Sequence, residues 1–273
     1  MRLQTVPARQ GIVWVRQGLR TFFKRPLAFA ALFATFMFAV FALALLPFVG
    51  ALIMLALLPL VSLGFMIATR ITVDGGFPTA RVFVDPLRPA APGRNAIIQL
   101  GVVYAVATFV VMWLSDLVDR GAFEALMDAI PGAQTAPDAV AARLAAPGLG
   151  AGLLLRFGLA GLLAVPFWHA PALAHWDGHG CAKALFSSTL ACWRNRGAFA
   201  VYGLVWFALI IAFGTLGSLL FALLGQPQLF ALAAVPVSLL FTTVFYVSLY
   251  FTFDDCFAAG EGQAAAGQVA AAR

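Results

Sequence analysis

The sequence predicts an all-α fold: a polytopic membrane helix bundle, six transmembrane helices in three hairpins, with amphipathic interfacial helices on the cytoplasmic side. Three observations predict it. The chain has 273 residues, 63% hydrophobic and only 10% charged. A soluble domain has about 45–50% apolar and about 25% charged residues, so this chain lacks the charge to cover a water-facing surface. The few charges cluster and leave long gaps between them. The apolar runs in those gaps are continuous rather than alternating, which fits helices and excludes a transmembrane β-barrel.

Residues 1–25 carry Arg2, Arg9, Arg16, Arg20, Lys24 and Arg25 and form a cytoplasmic N-terminal segment. Within it, "RQGIVWVRQGLRTFFKR" (9–25) has helical periodicity. Ile12, Val15, Leu19 and Phe22 fall at i, i+3, i+7, i+10, and Arg16, Arg20 and Lys24 fall on another face. Such a helix suits the headgroup layer. It reads as an anchor leading into the first span before it reads as a lipid sensor or a partner surface.

Residues 26–253 form the transmembrane domain. A span needs about 20 apolar residues. No charge occurs between Arg25 and Arg70, which gives spans 26–47 and 50–69, broken at "LPFVGA". Arg94 to Asp116 frames 95–116, and the run ahead of Asp177 gives 153–176. Arg196 to Asp254 holds 197–224 and 229–253, broken at "GQPQ". The first apolar run far exceeds the roughly 7–15 residues of a signal-peptide core and reads as a retained helix.

Three segments outside the spans complete the elements. "KALFSSTLACWRNRGAF" (183–199) repeats the amphipathic design, with Leu185, Phe186, Thr189, Leu190 and Trp193 on one face. The outer segment 120–146 contains "FEALMDAI", a short surface helix with Phe123, Met127 and Ile130 on one side and Glu124 and Asp128 away from it. The low-complexity 254–273 reads as a disordered cytoplasmic tail.

Lys and Arg accumulate on the cytoplasmic side of a membrane. Basic residues precede the first, third and fifth spans, the last two through Arg70, Arg81, Arg88, Arg94 and through Lys183, Arg194, Arg196. Asp116, Asp119, Glu124, Asp128 and Asp138 gather on the opposite side. The expected localisation is therefore the bacterial inner (plasma) membrane, multi-pass, with both termini cytoplasmic. The net charge of +6 and pI of about 9.8 follow from that topology and from attraction to membrane lipids, anionic headgroups included. No nucleic-acid partner is expected, because no basic soluble domain or recognition motif is present.

The hairpins echo one another. "FKRPLAF" (23–29) and "WRNRGAF" (193–199) align, with "GRNAII" (93–98) a shorter echo. The second helix of each hairpin carries a proline, Pro59, Pro166 or Pro236, and acidic residues follow at Asp74, Asp177 and Asp254-Asp255. The pattern suggests a degenerate threefold hairpin repeat.

"VPARQGIVWVRQGLRTFFKRPLAF", "LPLVSLGFM" and "PFWHAPALAHWDG...KALFSSTLACWRNRGAF" together resemble an uncharacterised family of six-helix bacterial inner-membrane proteins of unknown function. The Ala170-Pro171, Asp177-Gly178, Ala184, Ser187 and Asn195 pattern resembles a wider group of bacterial multi-helix proteins. The resemblance covers spans 1, 2 and 4 with their flanks and the start of span 5. It implies a six-helix inner-membrane protein and brings no catalytic residues with it. Its fixed points are "AP", the small and apolar residues and "RN", and the histidines are not among them.

Candidate chemistry centres on "HWDGHGC". His175, Asp177, His179 and Cys181 occupy alternate positions, and with His169 all three histidines of the chain lie within eleven residues. Imidazole, carboxylate and thiolate all ligate zinc. Against a metal site, the glycines disfavour a helix there, and alternate residues of an extended chain stand about 6.6 Å apart. The residues read better as the polar end of span 4. A haem is expected still less, because a bis-histidine site needs facing helices. Ser187 and Ser188 near the histidines do not make a triad, and no hydrolase, P-loop or metalloprotease motif occurs. No catalytic residue and no cofactor are expected. The glycines of helix 4 (Gly148, Gly150, Gly152, Gly158, Gly161) and helix 5 (Gly203, Gly214, Gly217) read as small-residue packing before they read as a pathway lining.

The function expected first is a non-enzymatic inner-membrane protein that supports, scaffolds or regulates another membrane system, with another membrane protein as partner. The alternative is a small transporter or permease component for a hydrophobic or lipid-like solute. A third reading is a metal-responsive membrane protein using the 169–181 cluster.

One charge interrupts an apolar run: Arg156 in "GAGLLLRFGLAG". Asn95 to Asp116 is 21 steps, about 31 Å at 1.5 Å per residue, and Trp176 back to Arg156 is 20 steps, about 30 Å. Both charges reach the same outer boundary, where an arginine can snorkel or pair. A structural ion pair of Arg156 with Asp116, or with Asp119, is expected. Reporter fusions test the topology: residue 273 and the 75–93 and 176–192 loops should report cytoplasmic, and 120–146 exterior. An exterior C-terminus would overturn the helix count and the charge argument together.

Overall fold

The structure, a computed structural model, describes residues 1–47, 49–129, 142 and 144–258. The tail over 259–273 lies outside the described residues, as do Ile130, Asp138 and Arg143. Six helices are long and apolar enough to cross a membrane. The fold is an all-α polytopic bundle.

Helix α1 (Gln10–Lys24) ends at Arg25, where the chain turns into α2 (Pro26–Ala44). Pro26 occupies the first position of α2, where a missing N–H leaves no bond unmade. Helix α3 (Val49–Val73) completes the first hairpin. Two 3-10 turns, Ala80–Phe83 and Asp85–Leu87, lead into α4 (Arg94–Asp119), followed by the short α5 (Ala122–Ala129). Helix α6 (Leu149–Phe167) returns through the membrane and gives way to α7 (Ala170–Asp177). Helix α8 (Cys181–Arg194) leads into the third hairpin, α9 (Arg196–Leu223) and α10 (Pro227–Cys256). A two-residue strand β1 (Arg2–Leu3) pairs antiparallel with β2 (Phe257–Ala258). Residues 254–258 were expected in a disordered tail. They form instead the end of α10 and β2, because Cys256 and Phe257 are buried against the bundle.

Charge gaps mark where the chain leaves hydrocarbon, not where its helices stop. Helix α3 therefore runs past Arg70, and α4 past Asp116. The fourth span is not one helix over 153–176. It breaks at Trp168 and His169, beside Pro166, which removes a backbone donor from the ladder.

The segments between hairpins close a cycle. Helix α1 precedes hairpin one and packs on α9 and α10 of hairpin three. The 3-10 turns precede hairpin two and pack on α3 of hairpin one. Helix α8 precedes hairpin three and packs on α6 and α7 of hairpin two. Each connector fastens the hairpin it enters to the hairpin before it in the ring.

Both amphipathic helices face other than their apolar periodicity suggests. In α1 the buried face is Gly11, Trp14, Val15, Gly18, Thr21 and Phe22, while Ile12 is 53% exposed. Gly11 lies against the backbone of Ala198 and Tyr202, and Gly18 against Ser248, so the glycines set the face by letting backbones approach closely. In α8 the buried face is Ala184, Ser188, Ala191 and Cys192, while Phe186 and Trp193 are each 68% exposed. In α8 small residues turn toward the protein and large apolar ones outward, whereas in α1 the glycines sit among buried Trp14, Val15 and Phe22.

The end of hairpin two away from the connectors is closed by charge. Arg156 donates to Asp116 Oδ1 and, at 3.4 Å, to Asp119 Oδ2. Its guanidinium lies over the Phe123 ring, 4.0 Å from the centroid. The Asp119 side chain is fully buried and also accepts from the Gly121 N–H at 2.9 Å. Gly152 on α6 gives Asp119 its room.

Candidate functional site

At the break in span 4 a hydroxyl replaces a helical bond. In an unbroken helix the His169 N–H would donate to the Val165 carbonyl. Here the His169 N–H donates to Ser188 Oγ at 3.0 Å, and Ser188 Oγ donates to the Val165 carbonyl at 3.0 Å. Ser188, fully buried on α8, is inserted into the ladder of the fourth span, one of the recognised causes of a sharp kink.

His169 is fully buried too. Thr252 Oγ1 donates to the Leu249 carbonyl at 2.8 Å, which leaves its lone pairs for Trp168 Nε1 at 3.2 Å and His169 Nε2 at 3.1 Å. The proton is thereby assigned to Nε2 of a neutral imidazole. His169 Nδ1 has no partner and sits among Phe199, Phe253 and Phe257.

Asn195 is a second polar hub, between α8 and α9. Its Oδ1 accepts the Val6 N–H at 2.8 Å. Its Nδ2 donates to the Gln4 carbonyl at 3.0 Å and the Ala191 carbonyl at 3.1 Å. Nearby, Gln10 Nε2 and Trp14 Nε1 donate to Asp255 Oδ2 at 2.6 and 2.7 Å and hold α1 to the end of α10. Ser188, Thr252 and the α1 glycines were not anticipated as key residues, and Asn195 stood out only as a fixed point of the resemblance, with no role attached. A stripe of small residues at i, i+4, i+7 and i+8 (Ala184, Ser188, Ala191, Cys192) is the signal that identifies the buried face of α8.

Two openings flank α9. A cavity of about 430 Å³ lies between α6, α8, α9 and α10, walled by Val165, Trp168, Phe199 and Gly203, with Trp193 and Arg196 also lining it. A cleft of about 490 Å³ separates α9 from α10, lined by Ile210, Phe213, Gly214, Phe230 and Ser238. Trp206 and Phe245 border both. The Trp206 indole N–H is buried, with the Tyr202 hydroxyl as its polar neighbour. Gly158, Gly161, Gly203 and Gly214 have open space where a Cβ would stand, whereas Gly148, Gly152 and Gly217 pack within the chain. Small-residue packing therefore accounts for only part of the glycine set.

The "HWDGHGC" residues are not brought to one point. Asp177 Oδ2 faces His179 Nε2 at 3.0 Å, and Asp177 Oδ1 accepts from the Met1 amino group at 2.8 Å. His175 turns toward Pro92 and Arg70 and lines the hollow under the 77–92 loop. Cys181 begins α8 as a free, half-buried thiol. Among the described residues no group of three or more His, Cys, Asp or Glu is placed to hold a metal ion. Burial, and then Lys183, hold the His179 pKa below its ordinary value against the opposing pull of Asp177. At neutral pH their contact is a hydrogen bond to a neutral ring. Burial pushes the Cys192 thiol up to about 12, which leaves it an inert packing group.

Six apolar spans around a core of aromatic, aliphatic and hydrogen-bonded polar residues define a polytopic integral membrane protein. The chain is 36% identical over 262 residues, 96% of each chain, to a probable inner membrane protein of Burkholderia thailandensis. It belongs to that family of bacterial inner-membrane proteins. No family model matches the chain, and no solved structure matches it.

The inserted hydroxyl gives a direct test. Ser188→Ala strands the buried His169 N–H, which costs about 1–3 kcal/mol when left unsatisfied, and leaves the Val165 carbonyl only the longer bond from the Trp168 N–H at 3.4 Å. The thermal midpoint of the detergent-solubilised protein should fall clearly. Ser187→Ala next to it, with no such bond, should stay within about 0.5 kcal/mol of the parent. Equal midpoints for the two variants would remove Ser188 from its structural role.

Proposed function

We propose that the protein is a non-enzymatic support for another membrane system and that its third hairpin receives a membrane-spanning helix of a partner protein. The carrying observation is the α9–α10 cleft. It opens along a helix whose most apolar window is only 6% buried by the chain itself. Gly214 leaves space for a close helix crossing there, and small residues let membrane helices approach.

The non-enzymatic reading rests on how the buried polar groups are used. Ser188, Asn195 and Thr252 are bound to backbone, to histidine or to one another's helices, and none is left as a nucleophile. The orientation in this reading follows the Lys and Arg bias, with both termini and the three connectors cytoplasmic. The lipid-like permease remains the second reading, favoured by the lateral opening of the cavity beside α6.

A photoreactive residue at Ile210 in growing cells tests the partner. It should yield one discrete protein adduct whose cross-linked peptide, by mass spectrometry, is an apolar membrane segment. The same probe at Leu154, 79% exposed on α6, should yield lipid adducts. Lipid adducts alone at both positions would overturn the scaffold reading.

A further inference from the structure

We propose that the cavity between α6, α8 and α9 is a site for one anionic phospholipid, its phosphate on Arg196 and an acyl chain running down beside α6. The site is distinct from the α9–α10 cleft and does not depend on the partner reading.

The argument begins with charge. From Gly178 to Phe253 the chain has no Asp or Glu, while Lys183, Arg194 and Arg196 fall within that stretch. All three cations are exposed. Among the described residues none of them makes a salt bridge. Arg196 lies over the Trp193 ring, 5.6 Å from its centroid, which holds the guanidinium at the cavity wall. A planar guanidinium with free donors suits a phosphate, and basic pockets between membrane helices bind anionic headgroups.

The cavity supplies the second half. Its volume of about 430 Å³ is bounded by apolar side chains and by Gly203, whose missing side chain leaves open space. Val165 continues along α6 at i−4 and i−7 as Gly161 and Gly158, which meet nothing within 4 Å. That face is a shallow trough along the helix, fit for a hydrocarbon chain. The outward face of α8, with Phe186, Leu190 and Trp193 exposed beside Lys183, sits at the headgroup boundary. An apolar trough ending at an unpaired arginine at that boundary fits an anionic amphiphile better than a neutral one.

Native mass spectrometry of the full chain released from nanodiscs with equal 1-palmitoyl-2-oleoyl phosphatidylglycerol and phosphatidylcholine tests the site. One phosphatidylglycerol should stay bound in preference. Arg196→Gln should weaken that retention about fivefold, the share one arginine contributes near an anionic surface. Arg16→Gln, the same charge change on exposed α1, should leave it unaltered. Gly203→Leu sends a side chain from an open Cβ position into the cavity and keeps every charge, so it should also lose the lipid. Millimolar glycerol 3-phosphate should not displace it, which separates a lipid from a free phosphate. Equal retention of both lipids, an Arg16→Gln loss as large as that of Arg196→Gln, or full retention in Gly203→Leu would overturn the proposal.

Discussion

A backbone polar group at membrane depth must find its partner inside the chain, because lipid offers none. The rest of the fold depends on how this chain meets that constraint where its fourth span breaks. Ser188 reaches from the interfacial helix into the gap and serves both the His169 N–H and the Val165 carbonyl. One hydroxyl thereby fixes the kink and the position of α8, while Thr252 from the third hairpin holds the ring of the buried histidine. Asn195 applies the same device at the C-terminal cap of α8, taking up backbone groups of Gln4 and Val6.

These bonds let the connectors share the assembly with the long helices, which join the hairpins through α3 against α4 and α3 against α10. Association of membrane helices lacks a hydrophobic drive, since lipid is as apolar as leucine, and relies on close packing and hydrogen bonds. Both are concentrated at the connector end of the bundle, where Gly11 and Gly18 seat α1 and Tyr202 hydrogen-bonds Ser248 at 2.6 Å. Toward the opposite end α9 and α10 part around Gly214. The tightly bonded end fixes the geometry, and the parted end leaves apolar surface for something else to cover.

The class of fold was legible because composition and charge gaps are global signals that survive local error. Arg156 was legible because a charge in an apolar run demands an explanation, and counting depth from either helix brought it level with Asp116. The faces of α1 and α8 were not, because amphipathic periodicity tells which residues avoid water and not which avoid lipid. Phe186 and Trp193 are apolar and outward; Ser188 is polar and inward. The roles of the hubs escaped for a related reason. A serine or asparagine has no pattern of its own, and its role at Val165 or Gln4 exists only once distant segments meet. The histidine cluster attracted attention by residue type, yet Asp177-Gly178 and Gly180 send its members in different directions, Gly178 having the left-handed backbone (φ 66) that ends α7.

The central claim is that the connector end is a closed clasp, with the N-terminal segment locked to the start of α9 through Asn195. The Ala8 Cβ lies 3.5 Å from where a Cβ on Gly197 would stand, within the span of a disulfide. In a variant with Cys181, Cys192 and Cys256 replaced by alanine, Ala8→Cys with Gly197→Cys should oxidise to a near-complete intramolecular disulfide in native membranes. Asn195→Ala in that background should slow the closure markedly. A pair that stays reduced under oxidant, or that closes equally fast without Asn195, would contradict the clasp.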